Sequence, residues 1–488
     1  MRQGHRIAKL DKIPGTLIMW FYLTISIAFL AVVYLAIVML LHRRYPETQW
    51  QWDDIDTENT NFPPGFLWGT ATAAHQVDGG NDNNNWSRWE QSVDERGRPR
   101  VHNGDRAGNA AEHWERYPED FQRMRDELGV GSYRFSIEWS RVEPQQGTFD
   151  ASVIEHYHNV IDKLLALGIE PMVTLHHFTN PLWFEDMGAF ENEENIDHFV
   201  TFSQRMFSEY GQKVKRWCTI NESCPYAMMG YGLGVFPPGV KNFRRMAHVL
   251  HHLMLAHVRV YETLKAMPGG DKAEIGLVKN IFQFDPYQRW NLFQWIFCRI
   301  LEGAYNDSVI GFLRDGVFKV HIPTQVNLRV AHPEAIGKTD FIGLNYYANL
   351  LISLFMKREP PFDPNTRPGQ IVTDMPYTIY AEGFYRALHQ ISTIGKPIIV
   401  TENGIADDKD DRRAIWIERY LYAMSRAIEE GCDVRGYHYW SLLDNFEWAE
   451  GYQMRFGLFE VDYQSQERRL RDGAKPFVDA IARAQKDA

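Results

Sequence analysis

Two short apolar runs in this chain end on a carboxylate. The first reads RWCTINES and closes on Asn221-Glu222; the second reads PIIVTENG and closes on Glu402-Asn403. Taken alone, a Glu at such a place has a plain reading as a loop cap or an ion-pair partner. Two of them, each preceded by strong β-formers and each flanked by Thr and Asn, point to chemistry instead. Cleavage of a glycosidic bond needs a pair of carboxyls around one position. One protonates the departing oxygen, and the other attacks, or activates water, on the opposite face. His176-His177, Trp440 and Glu447-Trp448 are further candidates, although each taken singly fits core packing or a loop ion pair.

Glu222 and Glu402 stand 180 residues apart, so the scaffold must bring distant strand ends to one place. Apolar or β-branched runs occur at 66–74, 132–139, 170–178, 215–222, 274–280, 341–347, 397–402 and 434–441. Between them lie amphipathic stretches such as 151–167 and 412–430, long enough for crossover helices. Eight such units predict an α/β protein, a (β/α)₈ TIM barrel over residues 62–488, whose function gathers at the C-terminal strand ends. No repeat of short period and no low-complexity tract interrupts it.

Composition narrows the partners. A net charge of −11 and no basic stripe in the globular part exclude nucleic acid as an expected partner. Fifteen Trp would serve large cores, and also sugar sites, where a pyranose packs on an indole face. Cys218, Cys224, Cys298 and Cys432 lack metal-site spacing and are too few for a disulfide framework, so they are expected to be free thiols.

Residues 16–41 carry no charge over 26 positions. As a helix they would span about 39 Å against the roughly 30 Å hydrocarbon core of a bilayer, which predicts a single transmembrane helix. The run is too long for a signal-peptide core and ends in Val38-Met39-Leu40-Leu41 rather than in small residues. A short basic tail, 1–15, precedes it with Arg2, Arg6, Lys9 and Lys12; Arg43 and Arg44 follow. That balance places the N-terminus in the cytoplasm and the globular part on the non-cytoplasmic side. Residues 42–61 are polar and unperiodic, as in a juxtamembrane linker. Asn221-Glu222-Ser223 also fits a glycosylation acceptor, and a glycan there would destroy a catalytic Glu222. This argues for a prokaryotic envelope rather than a eukaryotic secretory route.

Four ordered motifs, FLWGTATAAHQVDGG, TINES, VTENG and YWSLLDNFEW, resemble those of glycoside hydrolase family 1, the family of many β-glucosidases and β-galactosidases, over residues 62–485. The resemblance implies a retaining enzyme with Glu222 as general acid/base and Glu402 as nucleophile. It further implies that Gln76, His177, Asn221 and Glu447 hydrogen-bond the sugar and that Trp440 and Trp448 form its aromatic platform. Arg134 and Tyr347 are expected beside Glu402, with Asn345 in support. Arg134 would keep Glu402 charged, and burial near a second carboxylate would keep Glu222 protonated. A β-glycoside is the expected substrate, with neither metal nor organic cofactor.

Three residues depart from the family pattern: Asp78 stands in place of Glu, Ser223 in place of Pro, and Phe178 in place of Trp. Glu447 beside Trp448 implies an unphosphorylated gluco- or galacto-sugar, because a 6-phosphate would be repelled. The apolar stretches 287–301 and 350–356 fit either ordinary packing or a rim facing lipid, the latter suiting glycolipids or other hydrophobic glycosides. Two alternatives share the scaffold: a transglycosylase that passes the sugar to a lipid or sugar acceptor, and a non-catalytic glycan-binding protein. The natural aglycone, the choice among glucose, galactose and fucose, and the oligomeric state stay open.

Overall fold

The eight apolar runs become eight parallel strands, and the computed structural model, which describes residues 15–353 and 366–486, closes them into one barrel. The strands are β1 (Leu67–Ala71), β2 (Ser132–Ser136), β3 (Glu170–His176), β4 (Arg216–Asn221), β5 (Glu274–Asn280), β6 (Phe341–Asn345), β7 (Ile398–Asn403) and β8 (Val434–Trp440). Each pairs with its successor in sequence, and β8 closes on β1 with Ala71 opposite Trp440. The strands are buried on both faces, and so their sequences run continuously apolar instead of alternating. Leu67, Met172, Cys218, Val278, Phe341 and Ile399 pack together as a separate small core beside the main one.

Register does the positioning. Glu402 of β7 lies opposite Asn345 of β6, and Asn345 lies opposite Asn280 of β5. One rim therefore receives the polar ends of several strands. Gly404 permits a close approach just past β7: a Cβ there would come within 1.7 Å of the Trp440 carbonyl.

Five helices matter below: α1 (Gly15–Arg44), α2 (Ala151–Ala166), α3 (Leu292–Tyr305), α4 (Ala381–Ser392) and α5 (Arg413–Glu429). Helix α2 starts where the Asp150 side chain accepts from the amides of Ser152 and Val153, an N-cap that satisfies two otherwise free donors. Helix α1 is long and apolar enough to cross a bilayer and extends beyond the expected 16–41 to Arg44. The basic tail 1–14, with Arg2, Arg6, Lys9 and Lys12, lies outside the described residues.

Within the expected linker 42–61, several residues pack against the barrel. The Trp50 amide and the Trp52 indole both donate to Glu382 Oε1, at 2.8 and 3.1 Å, and the Trp50 ring packs edge-on against Tyr385 and Tyr422. Glu47 pairs with Arg367, and the Asn61 amide donates to Ser425 Oγ. Two tryptophans and one acid in a polar run thus make a strap along α4 and α5. All four cysteines are free and buried.

Candidate active site

Strand β4 ends at Asn221, and Glu222 then takes a left-handed backbone conformation (φ 46°) before the short helix Ser223–Ala227. Phe178 (φ 70°) and Trp448 (φ 47°) share this rare geometry. Each costs on the order of 1–3 kcal/mol and persists only where the surroundings impose it. All three side chains line one cavity at the C-terminal mouth, together with His177, Asn221, Tyr347, Glu402, Trp440 and Glu447.

Beneath Glu402 lies a buried cation. Arg134 Nη1 donates to Glu402 Oε1 at 2.5 Å, Nη2 to Asn221 Oδ1 at 2.8 Å, and Nε to Thr174 Oγ1 at 3.0 Å. Burial opposes the Arg134 charge, but Glu402, Cys218 and Glu222 together outweigh it and raise the guanidinium above its usual range. From the other side the Tyr347 hydroxyl donates to Glu402 Oε2 at 2.8 Å. The structure thus places Arg134 and Tyr347 on different oxygens of Glu402.

Among the described residues, Glu222 makes no ion pair and accepts from one amide. Its hydrogen-bond donor is Asn345 Nδ2, at 2.8 Å from Oε1, and the Thr401 hydroxyl holds Asn345 by donating to its Oδ1 at 2.6 Å. Burial, reinforced by the charge of Glu402, pushes Glu222 up to about 8, against the Asn345 hydrogen bond and the more distant Arg134 and Lys279. At neutral pH this carboxyl carries a proton it can give away.

The remaining polar groups are oriented rather than loose. Arg134 claims the Asn221 oxygen, so Asn221 Nδ2 faces His177 Nε2 at 3.1 Å and donates to it. Burial, then the Arg134 charge, drives His177 well below its ordinary range, which leaves a neutral ring with its proton on Nδ1. Among the described residues, His177 Nδ1 has no hydrogen-bond partner, nor has Gln76 Oε1. Gln76 Nε2 donates to Asn445 Oδ1, to the Phe446 carbonyl and to Glu447 Oε2, at 3.0, 2.9 and 3.1 Å. Burial, then Glu402, pushes Glu447 up to about 8. The His177 ring lies between Trp440 and Trp448, with centroids at 5.9 and 6.1 Å.

Sequence reasoning missed the outer wall. Met229, in the helical turn Met228–Leu233, and Val235, Phe236, Phe282, Met375 and Tyr377, on loops, line the cavity beyond the strand ends, where their apolarity alone carried no signal. Of the three departures, Phe178 lies in the wall, 5.2 Å from Trp448 and 6.2 Å from Phe236. Asp78 lines a different, small cavity with His113 and Tyr133, away from both carboxyls. Ser223 is buried beside Cys224.

A parallel eight-stranded barrel with two carboxyls, one cation and an aromatic wall at its C-terminal mouth is the architecture of an O-glycosyl hydrolase. The chain belongs to glycosyl hydrolase family 1, whose pattern residues 58–486 match. It is 33% identical over 454 residues to Beta-glucosidase A of Thermotoga maritima, covering 86% of this chain and 97% of that protein. It is 31% identical to the 6-phospho-beta-galactosidase of Clostridium acetobutylicum, covering 86% and 96% respectively. The solved beta-glycosidase from Pyrococcus horikoshii superposes with a TM-score of 0.76 at 36% identity, covering 87% of this chain and 96% of that one. The chain is thus a glycosidase of the β-glucosidase/β-galactosidase type.

Proposed function

We propose that the chain is a retaining enzyme that hydrolyses terminal β-D-glucosides or β-D-galactosides bearing an apolar aglycone. Glu402 attacks the anomeric carbon while Glu222 protonates the departing oxygen; Glu222 then takes a proton from the water that releases the sugar from Glu402. The observation that carries this reading is the asymmetry of the pair, with Arg134 and Tyr347 on Glu402 and neither on Glu222. A nucleophile held by a cation and an acid kept protonated by burial are the two states the first step needs.

Gln76, His177, Asn221 and Glu447 are the proposed sugar ligands, and Trp440 and Trp448 the platform. Free Gln76 Oε1 and His177 Nδ1 supply an acceptor and a donor for hydroxyls. Among the described residues no Lys or Arg lines the cavity, which favours an unphosphorylated sugar over the 6-phospho substrate named for the Clostridium relative. The wall of Met229, Phe236, Phe282 and Met375 favours an apolar leaving group. Helix α1 holds the enzyme on a bilayer as a single-pass anchor. Its support is an apolar run of spanning length and the packing of Val38 and the strap on the barrel.

The test is an NMR time course on an aryl β-glucoside and its β-galactoside, followed by an alkyl β-glucoside series. The β-anomer should appear first, and kcat/KM should rise with alkyl length. Release of the α-anomer first would end the retaining reading; a flat series would end the apolar-aglycone reading.

A further inference from the structure

Helix α3 is inside out. Its outer stripe is Phe293, Ile296 and Phe297, exposed by 70, 54 and 49%, while its buried face includes Gln294 and Glu302 beside Trp295 and Cys298. The i, i+3, i+4 spacing puts the three apolar side chains on one face. Trp290, just ahead of the helix, is 59% exposed as well. Elsewhere on the described barrel, exposed large apolar side chains stand singly, as at Val93, Leu165, Met187 and Ile336. Single ones are ordinary; a cluster of four within eight residues marks an interaction surface.

The neighbour of this cluster indicates its occupant. Helix α1 leans on the same corner: the Tyr34 hydroxyl donates to the Trp290 carbonyl, and His42 Nε2 donates to the Arg289 carbonyl at 3.0 Å. About 20 residues of helix cross the roughly 30 Å of hydrocarbon. Counted from Thr16 that distance ends near Leu35, the level at which Tyr34 meets Trp290. Beyond it Leu35, Met39 and Leu40 still face outward, so the apolar surface of α1 continues directly into that of α3. Between α1 and α3, and reaching past them to residues 307–321, runs a groove of about 730 Å³, its lining Ile37, Leu41, Leu292, Ile296 and Ile300 together with the charged or titratable Arg299, Asp307, Asp315, Lys319 and His321. Tyr and Trp at this level match the aromatic preference of a membrane interface.

We propose that Trp290 and the outer face of α3 form a second membrane contact, dipping into the interfacial layer of the bilayer that α1 crosses. Lipid chains lie against the apolar side chains of the groove with their headgroups towards its charged ones, and the barrel is pinned at two points instead of swinging on one. The contact lies close to the active-site mouth. A short strand, Gln283–Pro286, starts immediately after Phe282 of the cavity wall and ends four residues before Trp290. At about 3.3 Å per residue that strand spans some 13 Å. The inference rests on the anchoring role of α1 proposed above.

The four native cysteines are buried, so one introduced on the surface can be labelled selectively. Full-length Phe29→Cys, Phe293→Cys, Ile296→Cys and Val93→Cys variants carry a nitroxide in phosphatidylcholine liposomes. Relaxation by oxygen is then compared with relaxation by a water-soluble nickel chelate. Labels at 29, 293 and 296 should favour oxygen several-fold over the label at 93. A lipid-buried label at 29 with 293 and 296 as wet as 93 overturns the second contact and leaves the anchor standing. A wet label at 29 overturns the anchor, and with it this inference. Spin–spin broadening at 293, the sign of a second copy on the patch, overturns lipid as its occupant.

Discussion

Glu402 and Glu222 stand at the ends of β7 and β4 around one cavity, and their surroundings differ in kind. Glu402 is gripped from two sides, by a guanidinium at 2.5 Å and a phenol at 2.8 Å. Glu222 meets one neutral amide, at 2.8 Å, and is pushed up to about 8 by burial and by Glu402 itself. One side is built to hold a carboxylate still, the other to keep a proton available. One residue type, Glu, thus meets two different surroundings, and these are what the two proposed roles rest on.

The comparison breaks most visibly when each carboxyl is removed. Glu402→Ala should lose on the order of 10⁵-fold in kcat/KM for every substrate, because the proposed covalent intermediate on Glu402 could not form. Glu222→Ala should lose roughly 10²–10⁴-fold on alkyl glycosides, whose leaving groups need a proton, and far less in the first step on dinitrophenyl glycosides, whose leaving groups do not. A leaving-group series on both variants checks this. Parallel losses across the series would mean that the two carboxyls do not have separate roles.

How much of this was legible beforehand follows from where each residue lies. All eight strands were visible within a few residues, because strands buried on both faces leave unbroken apolar runs. The two glutamates were visible because each terminates such a run. Met229, Phe236, Phe282 and Met375 were not, since apolarity beyond a strand end looks the same whether it lines a cavity or a core. Trp50 and Trp52 were lost within a polar stretch, and their anchor, Glu382, lies more than 300 residues away. The stretch 350–356 divides. Leu350–Ile352 pairs with Phe284–Pro286 in a small parallel sheet beside the mouth, whereas 354–356 lie outside the described residues. In the stretch 287–301, α3 buries one face and exposes an apolar other, a division that apolar composition alone did not reveal.

A smaller effect sharpens the Glu402 side. Tyr347→Phe removes only the hydroxyl that donates to Glu402 Oε2, leaving the ring in the cavity wall. A hydrogen bond to a charged group is worth about 1.5–3 kcal/mol, which corresponds to roughly 10–100-fold in kcat/KM. The basic limb of the pH profile should stay in place, because Glu222 does not touch Tyr347 through any hydrogen bond described here. A displaced limb would show that the two surroundings are not separable.

The smallest effect lies on the Glu222 side and is read from the position of that limb. Glu222 must be protonated to act as the acid, so activity should be held below about 8 and lost as pH rises through that value. Asn345 donates to Glu222 Oε1 and thereby favours the charged form, working against burial. Asn345→Ala removes that donor; the acid form should then survive to higher pH, and the limb should move upward by about one pH unit or less. The substitution also leaves the Thr401 hydroxyl and Asn221 without their Asn345 contacts, which lowers the height of the profile. Height and position separate, however, since a purely structural loss scales the profile without moving it. A limb that stayed put or moved down in kcat/KM would mean that Asn345 orients Glu222 without setting its proton affinity.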